Sequence, residues 1–415
     1  MSATDDQSKT SSGPALKGVR VIEIGTFLSA PFAASLLADF GADVIKIELP
    51  GIGDPMRTLG ASAPGSDSGY WWSSLARNKR SVALDVRTPE GLDILGSLLR
   101  DANVLIENFR PGTLERWGIT GEWLKAHRPD LIVVRISGYG QDGPWRDVPG
   151  FDRNAQAFSG LVHVTGEKDG PPQQAGLPVC DFTAGLWAAF GAVTAMLGQK
   201  LNHDSGGNQV ELALYETMIP FLKDMPMRFR HEGIVTERTG NTPDYVSPGG
   251  AYQAGDGEWI FVSGTGDRVF TRLMAAVGRP DMAEMPLFQH NRDRVTHRPV
   301  LDGAINQWMS ARTTAEVLDA FVRADVPAIK IQNIADVMNH PQVLARGNFV
   351  DMPDHGRGDA CVTAPMPRLA RMPATLRFTG QDLGESTEDV LMGELKLSRE
   401  RFDDLRARGI AGIQS

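Results

Sequence analysis

The chain has 415 residues but only two cysteines, Cys180 and Cys361, which lie far apart and in no CxxC or Cys/His cluster. A disulfide framework and a structural zinc site are thereby excluded, and a reducing compartment, the cytoplasm, is expected. The eight histidines form no HExxH pattern, so no metal is expected either. No unbroken apolar run reaches the length of a membrane span. The best case, 182–198, is interrupted by glycine and small residues and reads as a buried helix, which points away from a membrane partner. No leader segment is visible: the start, MSATDDQSKTSSGPALKG, is polar and reads as a disordered tail over 1–15. Nor is there a strong charge of one sign. A net charge of −9 is a mild acidic excess, which argues against a nucleic-acid partner.

What remains is an ordinary globular composition, 41% hydrophobic and 22% charged, at a length that favours two domains. The first half alternates strands and helices. VRVIEIG (19–25) precedes PFAASLLADFGA, with Pro31 near the helix start and Gly41 at its end. DVIKIEL (43–49), SVALDV (81–86), VLIENF (104–109) and LIVVRISG (131–138) follow as strands, with a helix capped by Thr88 and a short one near 121–127 between them. This pattern predicts an α/β fold with a doubly wound parallel sheet. A strand at 209–214 then runs into a helix ending near Arg230. Composition shifts to glycine, proline and turn residues, and AYQA-GDGE-WIFVS reads as a hairpin turning at Asp256-Gly257. With short helices at 267–277, 298–311 and 314–324 it predicts a smaller α+β domain over 225–330. The strand AIKIQ (328–332) is expected to lead back into the large domain, built from both chain ends, 16–224 and 331–415. Two amphipathic helices, 386–396 and 398–408, close the chain. The first strand-to-helix turn, EIGTFLSAP, holds one glycine and not GxGxxG, which disfavours a dinucleotide cofactor and a dehydrogenase.

One carboxylate stands out. In GLPVCDFTAG (176–185), Asp181 sits among small and apolar residues just before the apolar run from Phe182 to Lys200. It reads either as the N-cap of that helix or as a nucleophile near helix-terminal N–H groups, which stabilise a carboxylate or an oxyanion. The local sequence leaves both open.

Several segments decide between them together: LKGVRVIEIGTFLSAPFAASLLADFGADVIKIE (16–48), RNKRSVALD (77–85), ENFRPGTLERWG (107–118), ISGYGQDGP (136–144), GFDRNAQAFSG (150–160), GLPVCDFTAG (176–185) and NHPQVLARGNFV (339–350). In this order and spacing they resemble the class III CoA-transferases of the CaiB/BaiF type, the family of formyl-CoA transferase, carnitine CoA-transferase and α-methylacyl-CoA racemase. The resemblance implies an interlocked homodimer of two-domain chains. It implies coenzyme A or an acyl-CoA as substrate, a carboxylic acid as second substrate, and no permanently bound cofactor. Asp181 falls on the family's nucleophile. Backbone N–H groups after it are the expected oxyanion donors.

For the anionic CoA, RNKR supplies the cations Arg77 and Lys79, and the resemblance places Asn78 and Lys79 along the CoA path. The residues alone favour a solvated charge run before a strand. ENFRPGTLERWG contributes Asn108, Phe109, Arg110 and Arg116. Phe109 would border the adenine, and Arg116 falls where the family holds CoA phosphate, its alternative being a surface salt bridge. Leu28 and Ser29 match a CoA-contacting turn, and Asp152 is assigned to the same CoA-binding set. Leu49 stands where formyl-CoA transferase carries an arginine. In SPGG (247–250), Gly249 and Gly250 match a loop that covers the acyl-aspartyl intermediate, or form a plain turn before the hairpin. Racemases of the family carry histidine where this chain has Phe151, which cannot move a proton, and His163 lies more than two helical turns away. Transfer is therefore expected over racemization, with a CoA-binding protein without turnover still open. A dicarboxyl donor such as succinyl-CoA fits several relatives, and Arg57, Arg153 and Arg238 are candidate anchors for its free carboxylate.

Overall fold

The computed structural model describes residues 13–62, 68–354 and 358–413. The tail expected over 1–15 lies outside them as far as residue 12. The chain divides into two compact units. The first holds the residues up to Gly160, Ala175–Lys223 and the chain from Arg346 on; the second holds Leu161–Gln174 and Asp224–Ala345.

In the first unit, β1 (Arg20–Glu23), β2 (Asp43–Glu48), β3 (Lys79–Ala83), β4 (Val104–Glu107), β5 (Ile132–Ser137) and β6 (Asn208–Ala213) form one sheet in the order β3-β2-β1-β4-β5-β6. Every pairing is parallel. The helices between them include α1 (Ser29–Asp39), α2 (Pro89–Leu99), α3 (Gly121–His127), α4 (Asp152–Phe158) and α5 (Val179–Asn202). Strands buried on both faces must be apolar on both faces, which is why β1 and β4 read as continuous apolar runs. Ile22, Ile45, Val82 and Leu105 pack with Leu95 and Leu98 of α2, and with Phe402 and Leu405 near the chain end. α2 begins where its cap signals put it: Thr88 Oγ1 accepts the Gly91 N–H at 3.1 Å, with Pro89 in the first turn.

The sheet edge at β3 is covered by the returning C-terminal segment. The Ser386 N–H donates to Ser81 O and the Gly412 N–H to Ala83 O, each at 2.9 Å. A strand edge left open is a template for aggregation, so this strap has a structural purpose.

α5 differs from the buried helix expected. One side carries small residues, Ala184, Gly185, Ala188, Ala192 and Ala195, and is buried. A Cβ on Gly185 would stand 2.9 Å from Ser29 O and 2.8 Å from a Phe32 ring carbon, so α1 and α5 meet backbone to backbone there. The other side exposes Leu186, Phe190, Val193, Leu197 and Leu201, a stripe at helical spacing. The helix expected to end near Arg230 is also broken: a 3-10 stretch, Tyr215–Leu222, holds Pro220, and a separate helix follows at Met225–Glu232.

The second unit contains β7 (Gly249–Gln253), β8 (Trp259–Ser263) and β9 (Ala328–Lys330), antiparallel in that order. Its helices include α6 (Asp267–Ala276), α7 (Arg298–Met309) and α8 (Thr314–Arg323), packed round Ile260, Val262, Phe270, Leu273, Ile305 and Phe321. The hairpin turns at Asp256-Gly257, where Gly257 has φ 89°. β9 corrects the sequence expectation. It pairs with β8, Ile260 opposite Lys330, so the chain is still in this unit at 330 and leaves it at Ala345. A three-residue strand, Ala-Ile-Lys, carries no mark of the sheet it joins.

Candidate active site

β1 and β4 are neighbours in the sheet although α1, β2, β3 and α2 separate them in sequence. The crossovers leave in opposite directions there, and in such folds ligands bind outside the carboxyl ends of the strands at this switch. The loops that open the crevice are 24–28 and 108–110. Asn108 stitches them: its Oδ1 accepts the Thr26 N–H at 2.8 Å, and its Nδ2 donates to Thr26 O at 2.7 Å and Ser29 Oγ at 3.1 Å. The lone glycine of EIGTFLSAP is required at this point, since a Cβ on Gly25 would stand 2.4 Å from that of Ala30 and 2.8 Å from Asn108 Oδ1. Sequence reading passed over it for want of a fuller glycine motif, and a glycine between a strand and a helix was the available signal.

Beside these loops lies a cavity of about 210 Å³, lined among others by Thr26, Leu49, Val86, Arg87, Phe109 and Trp117. Phe109 and Trp117 meet edge to face, centroids 4.9 Å apart. Apolar walls with a few polar groups suit a flat base. Arg110 and Arg116, next in sequence to the lining residues Phe109 and Trp117, are both exposed. Arg116 Nη2 bonds Thr113 Oγ1 at 2.8 Å, and among the described residues neither arginine has a carboxylate partner, so the surface salt bridge weighed for Arg116 is not formed. Leu28 and Ser29 are buried where α1 begins.

The RNKR residues require correction. Arg77 is buried and grips Asp39, Nε to Oδ1 at 3.0 Å and Nη2 to Oδ2 at 2.6 Å. Asn78 has a left-handed backbone, φ 63°, and commits its amide to Asp39 Oδ1, Thr375 O and the Arg377 N–H. Lys79 Nζ donates to Glu23 Oε2 at 2.8 Å and Pro31 O at 2.6 Å, and burial pushes it down to about 8. Glu23 also binds Lys46, which reaches Asp54 at 2.8 Å. Burial alone would lower Lys46, but the Asp54, Glu23 and Glu48 carboxylates hold it above its usual value. Stripping a buried charge of its partner costs about 3–5 kcal/mol, so Arg77, Asn78 and Lys79 hold the fold and are not free to bind phosphate. Asn108 is likewise spent on the loops. Arg57 is taken by Glu48, Nε to Oε2 at 2.7 Å, which removes it as an acyl anchor. Arg153 is exposed on α4, while Arg238 in the second unit donates to His163 O at 2.8 Å.

Asp181 occupies the first turn of α5, third after the cap position, Pro178; it is not the cap. The cap is supplied from α4. Asp152 Oδ1 accepts the N–H groups of Cys180 at 2.7 Å and Asp181 at 3.1 Å, and its Oδ2 accepts Gln156 Nε2 at 2.6 Å. Asp152 is therefore an anchor for the Asp181 backbone, with both oxygens engaged, and not a free CoA-binding group. The Asp181 carboxylate is pushed up to about 7, by burial first and by the Asp152 charge second. The oxyanion donors expected after Asp181 are not available as pictured, since the Phe182 N–H is spent on Pro178 O at 3.1 Å. Phe27, held at φ 61° with its N–H on Asp54 Oδ1 at 3.0 Å, meets Phe151 edge to face at 6.5 Å. That ring contact joins the loop after β1 to the Asp152–Asp181 pair. Sequence reading missed Phe27, Trp117 and Gln156; the last was a polar residue inside GFDRNAQAFSG.

Gly249 and Gly250 are strand residues in the second unit, buried and paired with Ser263 and Val262. A Cβ on Gly250 would stand 2.8 Å from Asn241 O, so backbone crowding accounts for glycine there, not a mobile covering loop. His163 lies beside Glu237 in the same unit, 3.3 Å apart. Among the described residues, no three His, Cys, Asp or Glu side chains group as metal ligands do.

The model of CoA-transferase family III matches residues 16–387. The chain belongs to that family. It is 36% identical over 395 residues to succinyl-CoA–D-citramalate CoA-transferase of Chloroflexus aurantiacus, spanning 95% of this chain and 98% of that one. It is 37% identical over 397 residues to the alpha subunit of succinyl-CoA–L-malate CoA-transferase from Chloroflexus aurantiacus, spanning 95% and 92%. Among solved structures, a CaiB/BaiF family protein from Brucella suis superposes with a TM-score of 0.81 at 29% identity, covering 92% of this chain and all of that one. The fold of this family III member is thus one already seen in crystals, and the match spans both units.

Proposed function

We propose that this family III protein moves CoA from an acyl-CoA thioester to a carboxylic acid, with Asp181 as temporary carrier. The observation that carries the reading is a half-buried carboxylate at a helix start, its backbone held by Asp152, which titrates near neutrality. A raised value makes the anion a stronger nucleophile at the pH where it forms. Asp181 attacks the thioester carbonyl, giving a mixed anhydride and CoA thiolate. The thiolate attacks the Asp181 carbonyl, which frees the donor acid and leaves an aspartyl-CoA thioester. The acceptor carboxylate attacks that thioester and expels the thiolate again. Thiolate attack on the acceptor carbonyl releases the new acyl-CoA and restores Asp181. Each intermediate hydrolyses if water enters, which gives the Phe27–Phe151 contact a use as a screen.

The cavity at the switch point takes the adenine end of CoA, with Arg110 and Arg116 as free cations for phosphate. Both relatives named above use succinyl-CoA, which supports a dicarboxyl donor here, with a hydroxydicarboxylate as acceptor and exposed Arg153 as a candidate anchor for the second carboxylate. The exposed apolar stripe of α5 supports a homodimer, since such a face in water is costly unless covered. Two free thiols, Cys180 and Cys361, fit a cytoplasmic protein. The test is intact mass after mixing with succinyl-, malonyl-, acetyl- or propionyl-CoA, then hydroxylamine. A CoA or acyl adduct mapping to Asp181, absent in Asp181→Ala, is expected. CoA binding without any adduct would overturn covalent transfer.

A further inference from the structure

Gln156 is 1% exposed, yet it is a polar side chain that none of the steps above uses. It lies one turn after Asp152 on α4, and its amide is fully engaged. Nε2 donates to Asp152 Oδ2 at 2.6 Å and to Leu177 O at 3.2 Å, while Oε1 accepts the Ala175 N–H at 2.9 Å. The orientation is fixed by its partners. A flipped amide would set Oε1 against a carboxylate and a carbonyl, and Nε2 against an N–H.

Three points are thereby tied together. Ala175 and Leu177 belong to the segment that enters α5, and Asp152 is the group that holds the Cys180 and Asp181 N–H groups. Asp152 Oδ1 is occupied by those two donors, so its torsion is set by what holds Oδ2. Without a donor on Oδ2, the carboxylate can rotate and release the α5 terminus. A carboxylic acid in place of the amide would bring a second negative charge against Asp152 and remove the donor. An apolar residue would leave the buried Asp152 Oδ2 and the Ala175 N–H without the Gln156 amide, which is costly, while Leu177 O would keep the Val179 N–H at 2.8 Å.

We propose that Gln156 is a positioning residue for Asp181: its amide locks Asp152 and the 175–177 segment so that the first turn of α5 presents the nucleophile in one orientation. The claim rests on the reading of Asp181 as acyl carrier only for its catalytic consequence; the positioning itself is a property of the resting protein.

The experiment separates the two. Hydrogen–deuterium exchange is followed on the peptides spanning 175–184 in the full-length protein without substrate. Gln156→Met keeps the length and removes the hydrogen bonds, and exchange at Cys180 and Asp181 is expected to quicken by about tenfold or more, as for loss of one buried hydrogen bond. Gln156→Glu is expected to do the same. The exchanged pair Asp152→Asn with Gln156→Glu restores a donor facing an acceptor, and exchange should return to within about threefold of the wild type. With succinyl-CoA, Gln156→Met should slow Asp181 adduct formation at saturation by about tenfold, while KM for the acyl-CoA stays within about twofold. A generally loosened fold would move KM and the exchange of distant peptides as well. Unchanged exchange at 180 and 181 in Gln156→Met, or no recovery in the exchanged pair, would overturn the proposal. An absence of adduct in the wild type would instead overturn the transfer reading, with the exchange results still deciding the role of Gln156.

Discussion

Asp181→Asn should make the protein more stable, and only above mildly acidic pH. In the fold, burial and the Asp152 charge raise the Asp181 carboxyl from its usual 3.8 to about 7. A folded-state value above the unfolded one means that the fold favours the protonated form. Stability from this group is therefore complete below about pH 4, falls as pH rises toward 7, and stays lost above it. An offset of that size corresponds to about 4 kcal/mol at the outside, and partial contact with water brings it to roughly 2. Asparagine cannot ionise and escapes the loss. Its carbonyl and amide occupy the same space, and no hydrogen bond to the Asp181 carboxylate is found among the described residues to be given up. The assay is thermal unfolding of both proteins from about pH 4 to pH 8. The curves should coincide at the acid end, and the variant should melt higher at the alkaline end, by roughly 2–3 °C for a chain of this size. Transfer should vanish throughout. Coincident melting at all pH values, or a gap that closes as pH rises, would refute the placement of an ionisable carboxylate in this environment.

Arg77→Ala removes one half of a buried ion pair and should cost about 3–5 kcal/mol by denaturant unfolding, with the CoA dissociation constant of the folded protein unchanged within about twofold. A specific rise in that constant without loss of stability would return Arg77 to the CoA path. Arg116→Ala should raise the CoA dissociation constant by about tenfold, as for one charge-assisted phosphate contact, and leave the single-turnover rate at saturation unaltered; isothermal titration and rapid quench read the two. Gly303→Ala, in α7 with nothing within 4 Å of the added Cβ, should stabilise by about 0.5–1 kcal/mol. Gly185→Ala, against Ser29 O, should destabilise by about 1–3 kcal/mol in the same melt.

The order of strands and helices was legible because it is written in periodicity, caps and turn residues, and those act locally. Asp181 was legible as an odd carboxylate before an apolar helix, and the family resemblance gave it a role. The fate of RNKR was not. A run of cations looks the same whether it meets water, phosphate or buried acids, and the partners that decide, Asp39 and Glu23, lie 38 and 56 residues away. The two faces of α5 escaped for a related reason: alanine on one side and leucine on the other are both apolar, so composition does not tell a core face from an exposed one. Gln156 and Asp152 form a geometry, a side chain of one helix capping another, that has no sequence spacing of its own.

The strap across β3 has a consequence for synthesis. The Ala83 N–H bonds Thr387 Oγ1, a partner 304 residues further along the chain. A ribosome adding about 5–20 residues per second needs roughly 15–60 s to deliver it. Through that interval β1 to β6 emerge with the β3 edge uncovered, long before the last helix exists. An open edge of that kind is a template for pairing with other chains, so the order of synthesis exposes the nascent chain to a hazard that the finished fold no longer carries.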